Sequence, residues 1–144
     1  AEYRKAIELD PNHAFAHDDL GYALDNKGQH DDAIAEYRKA IELDPNYMRA
    51  HNNLALALKG KGQLDEAITE KRKAIEVMKA LGGVFGSALL PTLVDAHNFL
   101  GHALYEKGQL YEGIAEFRKA IELDPTNVEA RKNLAVAMRR TRER

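Results

Sequence analysis

The sequence contains no cysteine. Disulfides, thiolate metal sites and a cysteine nucleophile are therefore excluded. A reducing compartment fits this composition, and we expect a cytoplasmic location. The sequence also lacks an excess of either sign of charge, because acidic and basic residues nearly balance and the formal net charge is only -2. Without a basic excess or a basic cluster, we expect no nucleic-acid partner and no general attraction to anionic lipid.

Long hydrophobic runs are absent as well. The longest uncharged stretch, residues 80–94, is shorter than the roughly 20 apolar residues that span a bilayer, and it contains Pro91 and three glycines. We expect no membrane span, and no signal peptide is visible. The chain opens at Ala1 in a helical pattern without an initiator methionine, so we expect it to be an excerpt of a longer protein.

An eleven-residue block recurs along the chain. AEYRKAIELDP begins at Ala1 and again at Ala35, which lies 34 residues further on. A diverged copy, TEKRKAIEVMK, begins at Thr69, again 34 residues later, and AEFRKAIELDP begins at Ala115, 46 residues after that. The period is therefore 34 residues with one insertion of 12, and a fixed period of this size indicates a repeat architecture.

A second block alternates with the first. It reads AHDDLGYALDNKGQ from Ala16, AHNNLALALKGKGQ from Ala50, AHNFLGHALYEKGQ from Ala96 and, diverged, ARKNLAVAMRR from Ala130. Apolar residues recur at helical spacing in both blocks. Each repeat is thus predicted to be a helix pair, in which the AH block forms the first helix and the AEYRKA block the second.

Helix-ending residues separate the blocks. The dipeptide Lys-Gly follows the first helices, where glycine predicts a left-handed C-cap. Acidic residues such as Asp31 and Asp32 then open the second helix, where the helix dipole favours them. Asp-Pro predicts the end of the second helix, because the residue before proline avoids helical geometry. These dipeptides are Lys27-Gly28, Lys61-Gly62, Lys107-Gly108, Asp10-Pro11, Asp44-Pro45 and Asp124-Pro125.

The repeated positions resemble the signature of the tetratricopeptide-repeat family, which spaces aromatic, Leu-Gly, Ala and Pro residues at fixed offsets. In this chain those positions are occupied by His17, Leu20, Gly21, Leu24, Ala33, Tyr37 and Pro45; by His51, Leu54, Ala55, Leu58, Ala67, Lys71 and Lys79; and by His97, Leu100, Gly101, Leu104, Gly113, Phe117 and Pro125. Histidine takes the first aromatic slot in all three repeats. Lys71 and Lys79 depart from the pattern just before the insertion.

The resemblance implies an all-α fold: a right-handed superhelical solenoid of antiparallel helix pairs with about seven helices. It implies one array over residues 1–144. The expected segments are 1–11, the second helix of a partial repeat; 12–45 and 46–79, two repeats; 80–91, the insertion; 92–125, a repeat; and 126–144, the first helix of a partial repeat.

The insertion is predicted to extend a helical hairpin on both sides of a tip around residues 82–87. Gly82 and Gly83 are expected to stop the preceding helix. Ser87 is a candidate cap for the next one, with Pro91 tolerated in its first turn. We expect Val84, Phe85, Leu89 and Leu90 to be apolar residues near this tip.

Catalytic and metal sites are not expected. The recurring histidines lie on stacked repeats, on the order of 10 Å apart, whereas the ligands of one zinc ion lie about 2 Å from it. They are interpreted as replacements for the aromatic residue. The glycines of residues 82–86 lack the Lys-Ser/Thr of a phosphate loop. We therefore predict a non-enzymatic chain without a cofactor.

The resemblance also implies a peptide-binding groove, since the first helices of this family line a concave inner surface. Asparagine suits such a groove, because its amide both donates to and accepts from a peptide backbone. Simple solvated helix faces are the alternative for each residue. The inward register positions include Phe15, Asp18, Asp19, Leu56, Asp95, Phe99, Glu129 and Val136. The residues predicted to bind peptide are Tyr22, Arg49, Asn52, Asn53, Asn98, His102, Lys132 and Asn133.

Members of this family that bind chaperone tails hold a C-terminal carboxylate with lysine, asparagine and arginine. Only Asn53 matches that pattern here. Asp18 and Asp95 occupy two other clamp positions and would repel a carboxylate, so chaperone-tail binding is not expected.

The leading functional hypothesis is a protein-protein interaction scaffold that binds a partner peptide or protein. One alternative is a docking or regulatory segment of a larger enzyme, such as a glycosyltransferase or protein kinase. Another is a self-assembling head-to-tail homo-oligomer, in which the unpaired end helices complete each other. For that arrangement Leu134 and Met138 are the predicted self-association residues, because they are expected to face water.

Overall fold

The computed structural model describes residues 2–143, apart from the side chains of residues 83–85. These residues form eight α-helices and one short 3-10 helix, and no strand occurs among them. The helices are α1 (Glu2–Leu9), α2 (Ala14–Asn26), α3 (His30–Leu43), α4 (Met48–Gly60), α5 (Leu64–Phe85), α6 (Leu90–Glu106), α7 (Leu110–Leu123) and α8 (Val128–Arg142). The predicted all-α class is confirmed. The helix count exceeds the expected seven by one, because three pairs plus the two unpaired end helices make eight.

The turns inside the helix pairs follow the glycine prediction. Gly28 adopts a left-handed φ of 76°. Its amide donates to Asp25 O at 2.9 Å, and the Gln29 amide donates to Leu24 O at 3.0 Å, which is the Schellman pattern. Acidic Asp31 and Asp32 open α3 as expected.

Asp-Pro turns join one pair to the next. Asp44 has an extended backbone (φ -137°, ψ 93°) that ends α3, and its carboxylate accepts the Asn46 amide at 3.1 Å. Asp124 accepts the amide and the hydroxyl of Thr126 at 2.9 and 2.7 Å. Each aspartate side chain therefore stabilises the turn that leads into the first helix of the next pair.

The helices form two compact units, Ala1–Val77 and Met78–Arg144. In the first unit α2 packs on α3, and α4 packs on both. Gly21 allows the close approach, since a Cβ there would lie 2.7 Å from the ring of Tyr37. Tyr37 is consequently 1% exposed. The core of this unit lies between first and second helices, as the periodicity predicts.

In the second unit α6 packs on α7, and α8 packs on α7. Phe117 fills the space above Gly101, where a Cβ would lie 2.4 Å from the ring. Leu134 and Met138 are partly buried against Ile114 and Phe117. The expectation that these two residues face water is therefore wrong, because α8 turns them onto α7.

The insertion lengthens α5 to 22 residues, compared with 14 in α3 and in α7. α5 continues through Gly82 and Gly83, so the prediction that they stop the helix is wrong. A mid-helix glycine costs only about 1 kcal/mol, which neighbouring residues offset. The chain turns instead at Gly86, with φ 52°. Ser87 lies in the 3-10 helix Gly86–Leu89, and Leu89 takes the N-cap position of α6 that was expected for Ser87. The predicted side chains of Val84 and Phe85 lie outside the described residues.

Candidate functional site

An ion-pair cluster built around one buried carboxylate joins α2 and α4. The Asp18 side chain is completely buried, and Arg49 pairs with both Asp18 and Asp19. Asn53 donates its amide Nδ2 to Asp18 Oδ1 at 3.0 Å. Two of the predicted peptide-binding residues, Arg49 and Asn53, therefore hold a carboxylate of their own chain.

Burial and hydrogen bonding have opposite effects on the pKa of Asp18. Burial raises its pKa, while the hydrogen bond from Asn53 and the charge of Arg49 lower it, and the pKa remains above its ordinary value. Arg49 also lies over two aromatic rings, 4.6 Å from the centre of Phe15 and 5.6 Å from that of Tyr47. Its guanidinium is thus fixed by cation–π contacts as well as by charge.

Exposed apolar side chains lie on the same two helices as this cluster. Phe15, Tyr22 and Leu56 are 51%, 59% and 55% exposed. Tyr22 and Leu56 occupy matching register positions on two helices that contact each other. Asn52 accepts a hydrogen bond from Lys71 Nζ at 2.9 Å, so the structure engages it too. Among the predicted residues of this face, Tyr22 offers the largest exposed surface.

The corresponding face of the second unit is formed by α6 and α8. Asn98 is 5% exposed, and its Nδ2 lies 3.4 Å from Asn127 Oδ1. Asn98 Oδ1 and Asn133 Nδ2 are buried and have no hydrogen-bond partner among the described residues. His102 contacts the Phe117 ring edge-on at 5.6 Å. Lys132 is exposed.

Two cavities are formed by the described residues of this unit. A small one of about 50 Å³ is lined by His102, Tyr105, Phe117, Asn133 and Val136. A larger one of about 230 Å³ lies between the start of α6 and the α7–α8 turn, and it is lined by Leu90, Pro91, Val94, Asp95, Leu123, Asp124, Pro125 and Asn127. The structure therefore brings Asn98, His102 and Asn133 to one side of the unit, next to space that a ligand can enter.

The recurring histidines are buried and paired. His17, His51 and His97 contact Glu36, Glu70 and Glu116 through Nδ1 at 2.7, 2.6 and 2.6 Å, and each glutamate lies 19 residues later. The Nε2 atoms of His17 and His51 meet the backbone oxygens of Pro11 and Pro45 at 3.1 and 2.7 Å. Histidine therefore ties the first helix to the second helix and, in these two repeats, to the preceding Asp-Pro turn.

The pair of His51 and Glu70 should stabilise the fold most between about pH 4.5 and 6.5. Burial lowers the pKa of His51, but its bonds to Glu70 and Pro45 outweigh burial and raise that pKa above 6.5. The stabilisation that charged His51 contributes is complete below pH 6.5, and it is lost as the pH rises through the pKa of His51 in the folded chain. Burial raises the pKa of Glu70, but His51 and Lys73 lower it below 4.5. That contribution is present above 4.5 and is lost as the pH falls through the folded pKa.

Thermal unfolding followed by circular dichroism across this pH range measures both flanks. His51→Gln should flatten the alkaline flank. His30 is the control, because it pairs with Asp25 at a side chain that is 57% exposed, and His30→Gln should change stability little. An equal stability of wild type and His51→Gln at every pH would contradict the assignment.

Within residues 2–143, no group of three or more metal-ligating side chains is placed to hold a metal ion. None of the described helices combines the length and the apolar character that a bilayer crossing requires.

The comparisons with known families agree along the chain. The family described as "TPR repeat" matches residues 21–62 and 101–141. Two families described as "Tetratricopeptide repeat" match residues 2–35 and 49–77. No curated protein sequence matches.

Solved structures share the fold at low sequence identity. MamA from Desulfovibrio magneticus is 23% identical with a TM-score of 0.80, over 96% of this chain and 72% of that one. The first TPR of Spaghetti (RPAP3), bound to the HSP90 peptide SRMEEVD, is 21% identical with a TM-score of 0.74, over 89% and 92%. The N-terminal domain of stress-induced protein-1 from C. elegans is 25% identical with a TM-score of 0.76, over 87% and 94%.

Proposed function

The chain belongs to the tetratricopeptide-repeat family, and from this premise we propose that it is an interaction module that binds a segment of a partner protein on its first helices. The observation that carries the proposal is the exposed apolar surface formed by Phe15, Tyr22 and Leu56 on α2 and α4. Large apolar side chains that remain exposed on one face are typical of interaction sites. Aromatic residues contribute most to the affinity of such sites.

The ion-pair cluster on the same two helices provides rigidity. Arg49 and Asn53 are held by Asp18, so the helices present Phe15 and Tyr22 from a fixed support. A prearranged surface loses less entropy on binding. In this proposal the apolar residues contact the partner, and the polar residues hold the surface in place.

The acidic tail seen with RPAP3 does not suit this surface. Asp18 and Asp19 already neutralise Arg49. A peptide carboxylate there would meet two like charges and gain no unpaired cation. We therefore propose an apolar or aromatic partner segment for the first unit.

Replacing Tyr22 by alanine should weaken a selected peptide by about tenfold or more, the effect typical of an exposed aromatic anchor. Peptides selected by phage display against the full chain are titrated by calorimetry against wild type and Tyr22→Ala. Tyr111→Ala is the matched control, because Tyr111 is 79% exposed but belongs to the second helix α7. Selected peptides that lose affinity with Tyr111→Ala and not with Tyr22→Ala would overturn the proposal.

Self-association is a second candidate, favoured by one observation. Tyr3 of α1 is 41% exposed, although the equivalent residues Tyr37 and Phe117 are each 1% exposed. A first helix of another copy would cover Tyr3, and α8 is such a helix. Its exposed residues Ala135 and Val136, rather than Leu134 and Met138, would then form the contact.

Charge supports head-to-tail contact. Residues 1–34 hold eight acidic and three basic residues, a balance of -5, and residues 126–144 hold two acidic and six basic ones, a balance of +4. We expect association at low salt that weakens as salt is added. Sedimentation velocity from dilute to concentrated solution measures it. Tyr3→Glu should reduce association, and a strict monomer at high concentration in low salt would rule it out.

A further inference from the structure

Different side chains occupy the junction between two successive first helices in the two units, α2 and α4 in the first unit and α6 and α8 in the second. In the first unit, Phe15 of α2 and Tyr47 before α4 project their rings to Arg49, which lies within 4.6 and 5.6 Å of their centres. The repeat register places Asp95 at the position of Phe15 and Asn127 at the position of Tyr47. Two aromatic residues are thus replaced by two small polar ones.

The 230 Å³ cavity lies at this substituted junction, since Asp95 and Asn127 both line it. Its volume is several times the roughly 30 Å³ that a water molecule occupies in the liquid. Leu90, Val94 and Leu123 give it apolar walls. The cavity therefore has room for a long side chain with an aliphatic stem.

The rim of the cavity is acidic. Asp95 is exposed, and within the described part of the chain no hydrogen bond or ion pair engages its carboxylate. Hydrogen bonds from Thr126 hold the pKa of Asp124 below its ordinary value, and Arg131 also lowers it. Glu129 stands at the register position of Arg49, so the second unit has an acid where the first unit supplies its own cation.

One atom of a buried side chain that contacts the cavity lining also lacks a partner among the described residues. Asn98 occupies the register position of Asp18, which binds Arg49 in the first unit. Its Nδ2 reaches Asn127 of the cavity lining, and its buried Oδ1 has no partner among the described residues. The second unit thus retains one acceptor, the amide oxygen of Asn98, at the Asp18 position, has Phe99 at the Asp19 position, and lacks the arginine.

We propose that the cavity of the second unit accepts an arginine side chain of the bound partner. This proposal rests on the proposed function in one respect only, namely that the arginine belongs to a bound partner segment. The aliphatic stem packs on Leu90, Val94 and Leu123, and the guanidinium pairs with Asp95 at the rim. Arginine fits better than lysine, because its planar guanidinium pairs bidentately with a carboxylate.

The test uses the full chain and a blocked single residue, acetyl-arginine amide. Titration followed by ¹H–¹⁵N NMR should shift the backbone signals of Asp95 and the side-chain amides of Asn98 and Asn127. Acetyl-citrulline amide, neutral and of nearly the same shape, should shift them much less. Acetyl-lysine amide with a free ε-amine should bind more weakly than the arginine compound.

Two variants of Asp95 separate the effect of its charge on binding from the effect of the open cavity volume. Asp95→Asn should weaken the arginine compound by about two- to fivefold, as expected for a partly exposed ion pair. Asp95→Phe restores the ring of the first unit and should abolish the shifts by filling the cavity. Glu112→Gln is the control, because it makes the same change in net charge on an exposed position of α7. Each variant's unfolding midpoint verifies that it remains folded.

Equal shifts with the citrulline compound, or unchanged binding by Asp95→Phe, would overturn the proposal. Signals of Asp95 and Asn127 that move with protein concentration alone would identify a second copy as the occupant and would also overturn it. The outcome is independent of the peptide titrations with Tyr22→Ala, because those probe α2 in the first unit. Either experiment can therefore contradict the proposal that it tests without contradicting the other proposal.

Discussion

Replacing Phe117 by alanine is expected to lower the free energy of unfolding by about 3–5 kcal/mol, the range for removing a fully buried ring. Phe117 is 1% exposed. It fills the space above Gly101 and packs with Ile114 and Ala137. Urea unfolding followed by circular dichroism measures the loss. Tyr111→Ala, on the exposed part of the same helix, should change stability by no more than about 0.5 kcal/mol.

The pairing of Phe117 with Gly101 gives this prediction a second test. Gly101→Ala alone places a Cβ 2.4 Å from the ring, and overpacking of this kind costs about 1–3 kcal/mol. Alanine recovers only about 0.5–1 kcal/mol of helix propensity. In the Phe117→Ala background the clash disappears, so Gly101→Ala should become neutral or stabilising. Simply additive losses in the double variant would contradict this packing.

Arg49→Ala is expected to lower the free energy of unfolding by about 2–3 kcal/mol at neutral pH, because the buried Asp18 carboxylate loses its main cation. This is below the largest losses for buried pairs, since Arg49 is 44% exposed at its side chain and Asn53 still binds Asp18. If Arg49 only bound peptide, as the sequence analysis predicts, its replacement by alanine would instead weaken a partner at nearly constant stability. Denaturant unfolding distinguishes the two.

The control for this prediction is a second arginine. Arg38 pairs with Glu66 at 2.7 Å, but both side chains are more than half exposed, so Arg38→Ala should cost less than about 1 kcal/mol. Asp18→Asn should rescue most of the loss in Arg49→Ala. Because the folded pKa of Asp18 is raised, its protonation removes the buried charge as the pH falls, and the loss should shrink at acidic pH. A loss of equal size at every pH would exclude the charge explanation.

The fold could be predicted largely from local sequence. The 34-residue period located the helix pairs, Lys27-Gly28 located a C-cap, and Asp44-Pro45 located a turn. These features depend on backbone preferences of single residues, which short segments reveal. Gly82 and Gly83 did not follow the rule, since glycine ends a helix only where the chain adopts a positive φ, and that occurs at Gly86.

The candidate sites were less predictable, because they depend on which side chains meet across helices. Asp18 was interpreted as a groove position, but the structure buries it and uses Arg49 and Asn53 to hold it. Lys71 replaces an aromatic residue, yet it is 6% exposed and donates to Asn52. The histidine–glutamate pairs could have been found from the sequence, since the separation of 19 residues recurs in three repeats.

Residues 1–11 and 35–45 are identical, so these two segments have the same local preferences while the chain folds. Either helix carries the tyrosine that fits above Gly21, and both are joined to α2 by short turns. Mispairing of α2 with α1 would bury Tyr3 and leave Tyr37 exposed. The left-handed turn at Gly28 directs α3 back along α2 and so favours the native hairpin. The repeated segment alone therefore leaves the choice of hairpin partner open, and the features that decide it lie outside that segment, among them the backbone of Gly28.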